Sequence, residues 1–422
     1  FLFHCPVTCN FKAQGISRFN DKVNTFLKNN PDVNVLGIDR GERHLAYWTL
    51  INQKREILKQ GSFNNPQGTK DYHDLLDKRE KERDKARKSW GTIEKIKDLK
   101  AGYLSQVVHE IAKLVVEHNA IVVFEDLNFG FKRGRFKVEK QIYQKLEKAL
   151  IDKLNYLVFK DKNPMEAGGV LHGLQLTAPF ESFTKIGKQT GIVFYVPAYH
   201  TSKVCPASGF VNLLYPRYET IKKSQEFFKN FCEIKFNGQE DYFEFAFNYE
   251  KFTKKAEGSG QNWTLYTYGE RLENYRNSLQ NNQWDTREVK LTEAFKKLFN
   301  QYVIDFNDGA DIKDQIVEQT EGKFFRQLTH LLKLTLQLRN SRINSDEDWM
   351  ISPVKDKNGR FFDSREENSK MPENADANGA YHIGLKGLWV LEQINKQKEG
   401  EKLNIAITNK EWYQFIQDKK YW

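Results

Sequence analysis

The sequence predicts an α/β fold in which a mixed β-sheet is flanked by helices and split along the chain by an inserted α+β domain. Three observations predict it. Patterned segments follow one another in the order strand, strand, strand, helix, strand, helix, strand, helix. Two β-rich runs, residues 33–38 and 121–124, each stop abruptly in an acid, Asp39 and Glu125. The stretch from about residue 199 to 374 differs in texture from what precedes and follows it, as a domain lodged inside another would.

Taken in order, residues 5–11 read as a strand and 17–29 as a short helix with Phe19, Val23, Phe26 and Leu27 on one face. Strands follow over 33–40, 44–52 and 56–63, with turns at Gly41-Glu42-Arg43 and Asn52-Gln53-Lys54, so a meander is expected. Taken alone, Asp39 reads more readily as the start of a turn, as Asp often is, and the acids further along the chain reverse that reading. Residues 74–90 carry acids and bases three or four apart, such as Asp77 with Lys81 and Asp84 with Lys88, and form a helix with almost no apolar face until Trp90. It is either a solvated helix held by its own ion pairs or a bridge whose Arg83 and Arg87 meet phosphates.

Leu104, Val107, Val108, Ile111, Leu114 and Val115 then mark a helix, and residues 120–127 a buried strand. The loop Phe129-Gly130-Phe131-Lys132-Arg133-Gly134-Arg135-Phe136-Lys137 interleaves aromatics, glycines and bases. Such a loop suits a sugar-phosphate backbone, with Lys132, Arg133 and Arg135 as contacts, although exposed basic loops are common in basic proteins. Arg40, in the turn after Asp39, is a further candidate. Another amphipathic helix covers Ile142 to Leu157, and residues 191–196 form another strand.

Lys and Arg number 66 and Asp and Glu 56, a net charge of +10, which favours a polyanionic partner where the bases cluster. With 422 residues there is length for two or three domains, each with its own core. The four cysteines, Cys5, Cys9, Cys205 and Cys232, show no disulfide framework and suit a reducing compartment. No apolar segment approaches the roughly 18 to 20 residues needed to span a bilayer, so a soluble protein is expected. Because it begins at Phe1 rather than Met, the chain reads as a piece of something longer, with the missing part upstream.

Within the insertion, residues 242–249 alternate as a half-buried strand, 254–262 are a polar loop, and Phe324, Leu328, Leu331, Leu332, Thr335 and Leu338 form a helical face. That helix is expected to end in Leu338-Arg339-Asn340-Ser341, and Lys357-Asn358-Gly359 to form a hairpin turn. Residues 201–210 have the outline of a zinc knuckle, but Ser208 stands where the second cysteine belongs, so no structural zinc is expected.

The element order is that of the ribonuclease-H-like fold. There the first strand, the fourth strand and a late helix bring acids to one edge, and those positions hold Asp39, Glu125 and Asp376. Three carboxylates offer the hard oxygen ligands that Mg²⁺ requires for two-metal phosphodiester cleavage, with no nucleophilic Ser, Cys or His needed.

Gly37-Ile38-Asp39-Arg40-Gly41-Glu42-Arg43, Phe124-Glu125-Asp126-Leu127-Asn128-Phe129-Gly130-Phe131, Leu338-Arg339-Asn340-Ser341 and Asn374-Ala375-Asp376-Ala377-Asn378-Gly379-Ala380-Tyr381-His382 closely resemble the type V-A CRISPR effector nucleases, the Cpf-type RNA-guided DNA endonucleases. The resemblance covers essentially the whole chain, as the C-terminal part of such an effector. One departure is Asn374, where the family pattern has an acid.

The resemblance implies a RuvC-like core in three segments, residues 16–71, 91–198 and 375–422. It also implies the end of an upstream wedge-like domain at 1–15, a bridge helix at 72–90 and a Nuc domain at 199–374. Asp39, Glu125 and Asp376 match the family's metal-binding catalytic acids, served by Mg²⁺ with Mn²⁺ as a possible substitute. Arg339 matches the arginine beside the cleft that assists strand cleavage, Asp348 a nearby polar position, and Trp90 a bridge-helix anchor. An arginine at a helix end is otherwise an ordinary cap, and Trp90 otherwise a core residue.

The implied partners are a CRISPR guide RNA, target and non-target DNA strands and the missing N-terminal portion of the same effector, in the bacterial cytoplasm with no membrane role. An RNase-H-like transposase or junction resolvase would share the acids but not the inserted domain or bridge helix. A non-catalytic scaffold that clamps guide and DNA is the rival from a different class.

Overall fold

The structure is a computed structural model, and it describes residues 16–40, 46–64, 78, 96–126, 137–253, 262–343, 345, 347–366, 370–398, 401 and 403–418. The expected strand at 5–11, the bridge helix with Arg83, Arg87 and Trp90, and the basic loop with Lys132, Arg133 and Arg135 lie outside the described residues. Two compact units emerge: Phe1–Thr201 with Gly379–Ile407, and Ser202–Asn378 with Thr408–Trp422. The second unit starts within three residues of the sequence-based boundary. At the other end, the expected third core segment is divided, because the last helix, Asn409–Gln417, groups with the second unit.

In chain order the first unit carries helix α1 (Phe19–Asn29), strands β1 (Asn34–Asp39), β2 (Tyr47–Ile51) and β3 (Ile57–Ser62), helix α2 (Ile96–Glu117), β4 (Ala120–Asp126), α3 (Lys137–Asn155), the short α4 (Phe183–Ile186), β5 (Gln189–Thr190) and β6 (Val193–Pro197). The order in the sheet is β3-β2-β1-β4-β6-β5. β1 pairs with β4 and β4 with β6 in parallel, and the remaining pairs are antiparallel. The meander is therefore present, and a mixed sheet follows from it.

Alternation along the strands sorts two covered faces. Leu36, Ile38, Val122, Phe124, Val193 and Tyr195 pack with Tyr103, Val107 and Ile111 of α2 and with Leu146, Leu150 and Leu154 of α3. The opposite face meets the long helix Ala375–Lys396. A methyl group at Gly37 would overlap the Ala380 carbonyl oxygen and lie 2.5 Å from Gly384 N, and one at Gly387 would lie 2.6 Å from Val123 and 2.7 Å from Val35. Glycine on both partners lets helix backbone touch strand backbone. With both faces covered, β1 and β4 read as continuous apolar runs rather than alternating ones.

The second unit contributes helix α5 (Ile221–Lys229), strands β7 (Glu233–Asn237), β8 (Tyr242–Asn248) and β9 (Asn262–Tyr266), the hairpin β10 (Glu270–Asn277) and β11 (Gln283–Lys290), helices α6 (Leu291–Gln301), α7 (Lys313–Val317) and α8 (Gly322–Thr335), and strands β12 (Arg339–Ser341), β13 (Asp348–Lys355) and β14 (Phe361–Asp363). Its core is aromatic: Phe231 packs on Phe245 and Phe247, and Phe243 on Phe295 and Phe299. The turn at residues 357–359 is found, with Gly359 at a φ of 75°.

One boundary needs correction. The helix expected to run to Leu338 ends at Thr335, and Arg339 opens a strand instead, paired in register with Met350. Leu338 O accepts from Ile351 N at 3.0 Å, so sheet pairing takes the backbone that helical periodicity had claimed. Helices α9 (Ala375–Lys396) and α10 (Asn409–Gln417) complete the chain. Among the described residues no helix is long and apolar enough to cross a membrane.

The glycine contacts give a paired prediction. Gly37→Ala should lower stability by about 1 to 3 kcal/mol, because the obstructing atoms are backbone and cannot step aside. Gly102→Ala, in an exposed turn of α2 with nothing within 4 Å of the added carbon, should raise it by about 0.5 to 1 kcal/mol. Thermal unfolding of the two variants reads both signs, and equal shifts would contradict the packing described.

Candidate active site

The site is built at the carboxyl ends of two central strands. Ile38 of β1 and Phe124 of β4 are register partners, and the next residue on each strand is an acid. Parallel neighbours lie about 4.8 Å apart and alternate faces in step. Asp39 and Glu125 therefore point side by side from the face that α9 covers, opposite to Ile38 and Phe124, which are in the core. A methyl group at Gly379 would overlap the Asp39 carboxylate, so the glycine makes room for that acid against the helix.

Both acids are half-buried. Burial raises the Glu125 pKa, while Arg40, Lys386 and the Thr201 hydroxyl oppose the rise; Thr201 Oγ1 donates to Glu125 Oε1 at 3.2 Å. Arg40 departs from its expected role as a nucleic-acid contact. Its side chain is 7% exposed, and Nη2 donates to the Glu125 carbonyl at 3.0 Å, with Glu147 3.9 Å from Nη1 and the Tyr143 ring 4.8 Å below. The residue after one acid thus grips the backbone of the other, tying the ends of β1 and β4 together. Burial lowers the Arg40 pKa, with Glu147 and Glu125 the largest of the charges that hold it up.

Lys386 of α9 is fully buried, and its ammonium donates to the carbonyls of Pro197 and Tyr199 at 2.6 and 2.5 Å. Burial pulls its pKa down to about 7 against the opposing pull of Glu125. Sequence reasoning passed over Lys386. Its signal was a single lysine in the wholly buried run Ala375–Leu391, where an unpaired charge would be too costly to keep. Thr201 and Glu147 likewise carry no sequence pattern that marks them as part of the site.

In the second unit, Asp376 stands in the first turn of α9. Asn374 Oδ1 accepts from Ala377 N at 2.8 Å, so the residue that departs from the family's acid serves as the helix cap, a task Asn performs as well as Asp. Arg339 donates from Nε and Nη2 to the two oxygens of Asp348 at 3.1 and 2.8 Å, and from Nη1 to Asp376 Oδ1 at 3.1 Å. Both acids are under 10% exposed, whereas the arginine is 38% exposed. Asp348 is thus the forked partner that orients Arg339, and Arg339 is no helix cap.

Among the described residues, no group of three or more His, Cys, Asp or Glu side chains is drawn together closely enough to hold a metal ion. The donor chemistry of Asp39 with Glu125 nevertheless suits a hard cation that takes one or two carboxylates and keeps its waters, which is the habit of Mg²⁺. Cys205 is a buried free thiol in the 201–211 turn, where Gly209 N bonds its carbonyl. A family model described as the RuvC nuclease domain matches residues 13–421.

Glu147 offers a pH test. Burial, aided by Asp126 and opposed by Arg40, lifts its pKa from 4.5 to about 6. A rise of that size corresponds to about 2 kcal/mol. The folded state binds the extra proton, so this contribution is complete below pH 4.5 and lost as the pH rises through 6. Glu147→Gln has no proton to lose and should gain on the wild type by up to about 2 kcal/mol between pH 4.5 and 7 in denaturant unfolding. A difference independent of pH would contradict this environment for Glu147.

Proposed function

The chain belongs to the RuvC nuclease domain family, which makes it a nuclease, and from that premise we propose that it is the nuclease portion of a type V-A CRISPR RNA-guided effector. Its substrates are the target and non-target DNA strands, and single-stranded DNA once guide–target pairing has activated the complex. Reading of the target sequence belongs to the guide RNA and to the upstream portion of the effector. The second unit takes the part of the Nuc domain.

The observation that carries this reading is that Asp39 and Glu125 directly follow the register partners Ile38 and Phe124 at the ends of parallel neighbours, with Arg40 tying the two strand ends together. In the proposal Asp39, Glu125 and Asp376 are the acids that serve Mg²⁺, with Mn²⁺ as a substitute. The chemistry supplied by the bound ion is polarisation of the scissile phosphate and a lowered pKa for water. Asp39 and Glu125 offer oxygen ligands. Thr201 bonds one Glu125 oxygen, and the neighbouring Arg40 and Lys386 oppose the rise in pKa that burial imposes on Glu125. Three N–H groups of Arg339 are engaged by carboxylates, which leaves the rest of its fork for the oxygens of a phosphate in transit.

Asp39→Ala should abolish Mg²⁺-dependent cleavage of labelled DNA, a loss of at least about a hundredfold, with DNA binding nearly unchanged. Arg339→Ala should slow cleavage by roughly 10²-fold to 10³-fold, as removal of one preorganised donor does elsewhere. The assay runs on the chain alone and on the chain within the guide-bound effector. Retained cleavage in Asp39→Ala would reject the mechanism, and absence of metal-dependent cleavage by the wild type in both settings would favour the scaffold reading.

A further inference from the structure

We propose that Arg271 is a positioning residue for Arg339, holding in place the backbone from which that arginine projects. This rests on the functional reading of Arg339 given above. Arg271 lies on β10 and is fully buried, among the largest side chains that are. Its guanidinium bonds carbonyls and no carboxylate: Nε donates to Gln337 O at 2.9 Å, Nη1 to Tyr268 O at 3.1 Å and Glu270 O at 2.9 Å, and Nη2 to Thr335 O at 3.5 Å.

Two of those acceptors lie at the end of α8: Thr335 is its last residue and Gln337 is in the turn that follows. A helix end leaves carbonyls unpaired and carries partial negative charge, so a planar cation fits there. Here it caps the helix and at the same time pins Gln337, two residues before Arg339.

Further bonds hold the same short segment. Gln337 Nε2 donates to Leu272 O at 2.9 Å and to Asn340 Oδ1 at 3.1 Å, and Leu272 N donates to Asn340 Oδ1 at 2.9 Å. Residues on either side of Arg339 are therefore fastened to β10, while the guanidinium of Arg339 is left partly exposed and aimed by Asp348. Burying a guanidinium among carbonyls is expensive. Burial pulls the Arg271 pKa down to about 9, and Glu270 and Asp363 oppose the fall. A leucine at this position would pack at lower cost but could not bridge the carbonyls of two segments at once. Exact placement of Arg339 is what the expense secures.

The test is a double-mutant cycle on DNA cleavage in the guide-bound effector, with single-turnover rate, DNA affinity and thermal midpoint measured together. Arg271→Lys keeps the charge and loses the fork. Gln337→Ala removes two of the surrounding bonds from a half-buried position and guards against a misfolded Arg271 variant. Each should slow cleavage by roughly tenfold to a hundredfold, as a shift of about 1 Å in a positioned group does, with DNA affinity unchanged.

Combined with Arg339→Ala, neither should slow cleavage further, because both act through the missing group. Losses that multiply those of Arg339→Ala, or a wild-type rate in both single variants, would overturn the proposal while leaving the role of Arg339 intact. An unimpaired Arg339→Ala would overturn the functional reading, and this proposal with it.

Discussion

The parallel register between β1 and β4 is the constraint on which the first unit depends. Pairing Ile38 with Phe124 obliges the next residues, Asp39 and Glu125, to emerge together on one face. Slipping either strand by one position would turn one of the acids into the apolar core that holds Leu36, Ile38, Val122 and Phe124. Burying an ionised carboxylate there without a partner is prohibitive. The packing of α2 and α3 on the far face therefore enforces the geometry of the acids on the near face, and the fold and the site are one piece of physics.

Two carboxylates side by side at the end of a buried sheet need compensation, and it comes from three directions. Arg40 arrives from the same strand as Asp39 and bonds the backbone of Glu125. Lys386 arrives from α9 and ties that helix to the exit of β6 through two carbonyls. Thr201 supplies a neutral hydroxyl to one carboxylate oxygen. The positive groups hold backbone as well as charge, so the distances between strand ends are fixed before any cation is bound. In the second unit the logic is the same with the signs exchanged: Asp348 fixes the cation Arg339, and Arg271 fixes the chain that carries it.

Much of this was legible in the sequence. The strands of the sheet and the helices against it follow from apolar runs and helical periods, since burial on both faces leaves no other pattern. The acids Asp39 and Glu125 stood out because each breaks such a run. Less legible was the direction of long side chains. Arg40, next to an acid in a turn, reads as exposed, and only the pocket made by Tyr143 and Glu147 turns it inward. Lys386 has no sequence signal beyond being the only lysine between Ala375 and Leu391. Helical period through Leu328, Leu331, Leu332, Thr335 and Leu338 carries the helix on into Arg339; the competing hydrogen bond from Ile351 to Leu338 comes from residues farther along the chain. Periodicity records local preference, and tertiary hydrogen bonds overrule it at element ends.

The central claim is that Asp39 and Glu125 act as neighbouring ligands of one divalent cation. Titration of Mn²⁺ into the wild-type chain and into Asp39→Asn and Glu125→Gln, followed by electron paramagnetic resonance of the free ion, tests this without reference to cleavage. Binding to the wild type that is lost or strongly weakened in both variants is the predicted result. Equal Mn²⁺ affinity in all three proteins would contradict it.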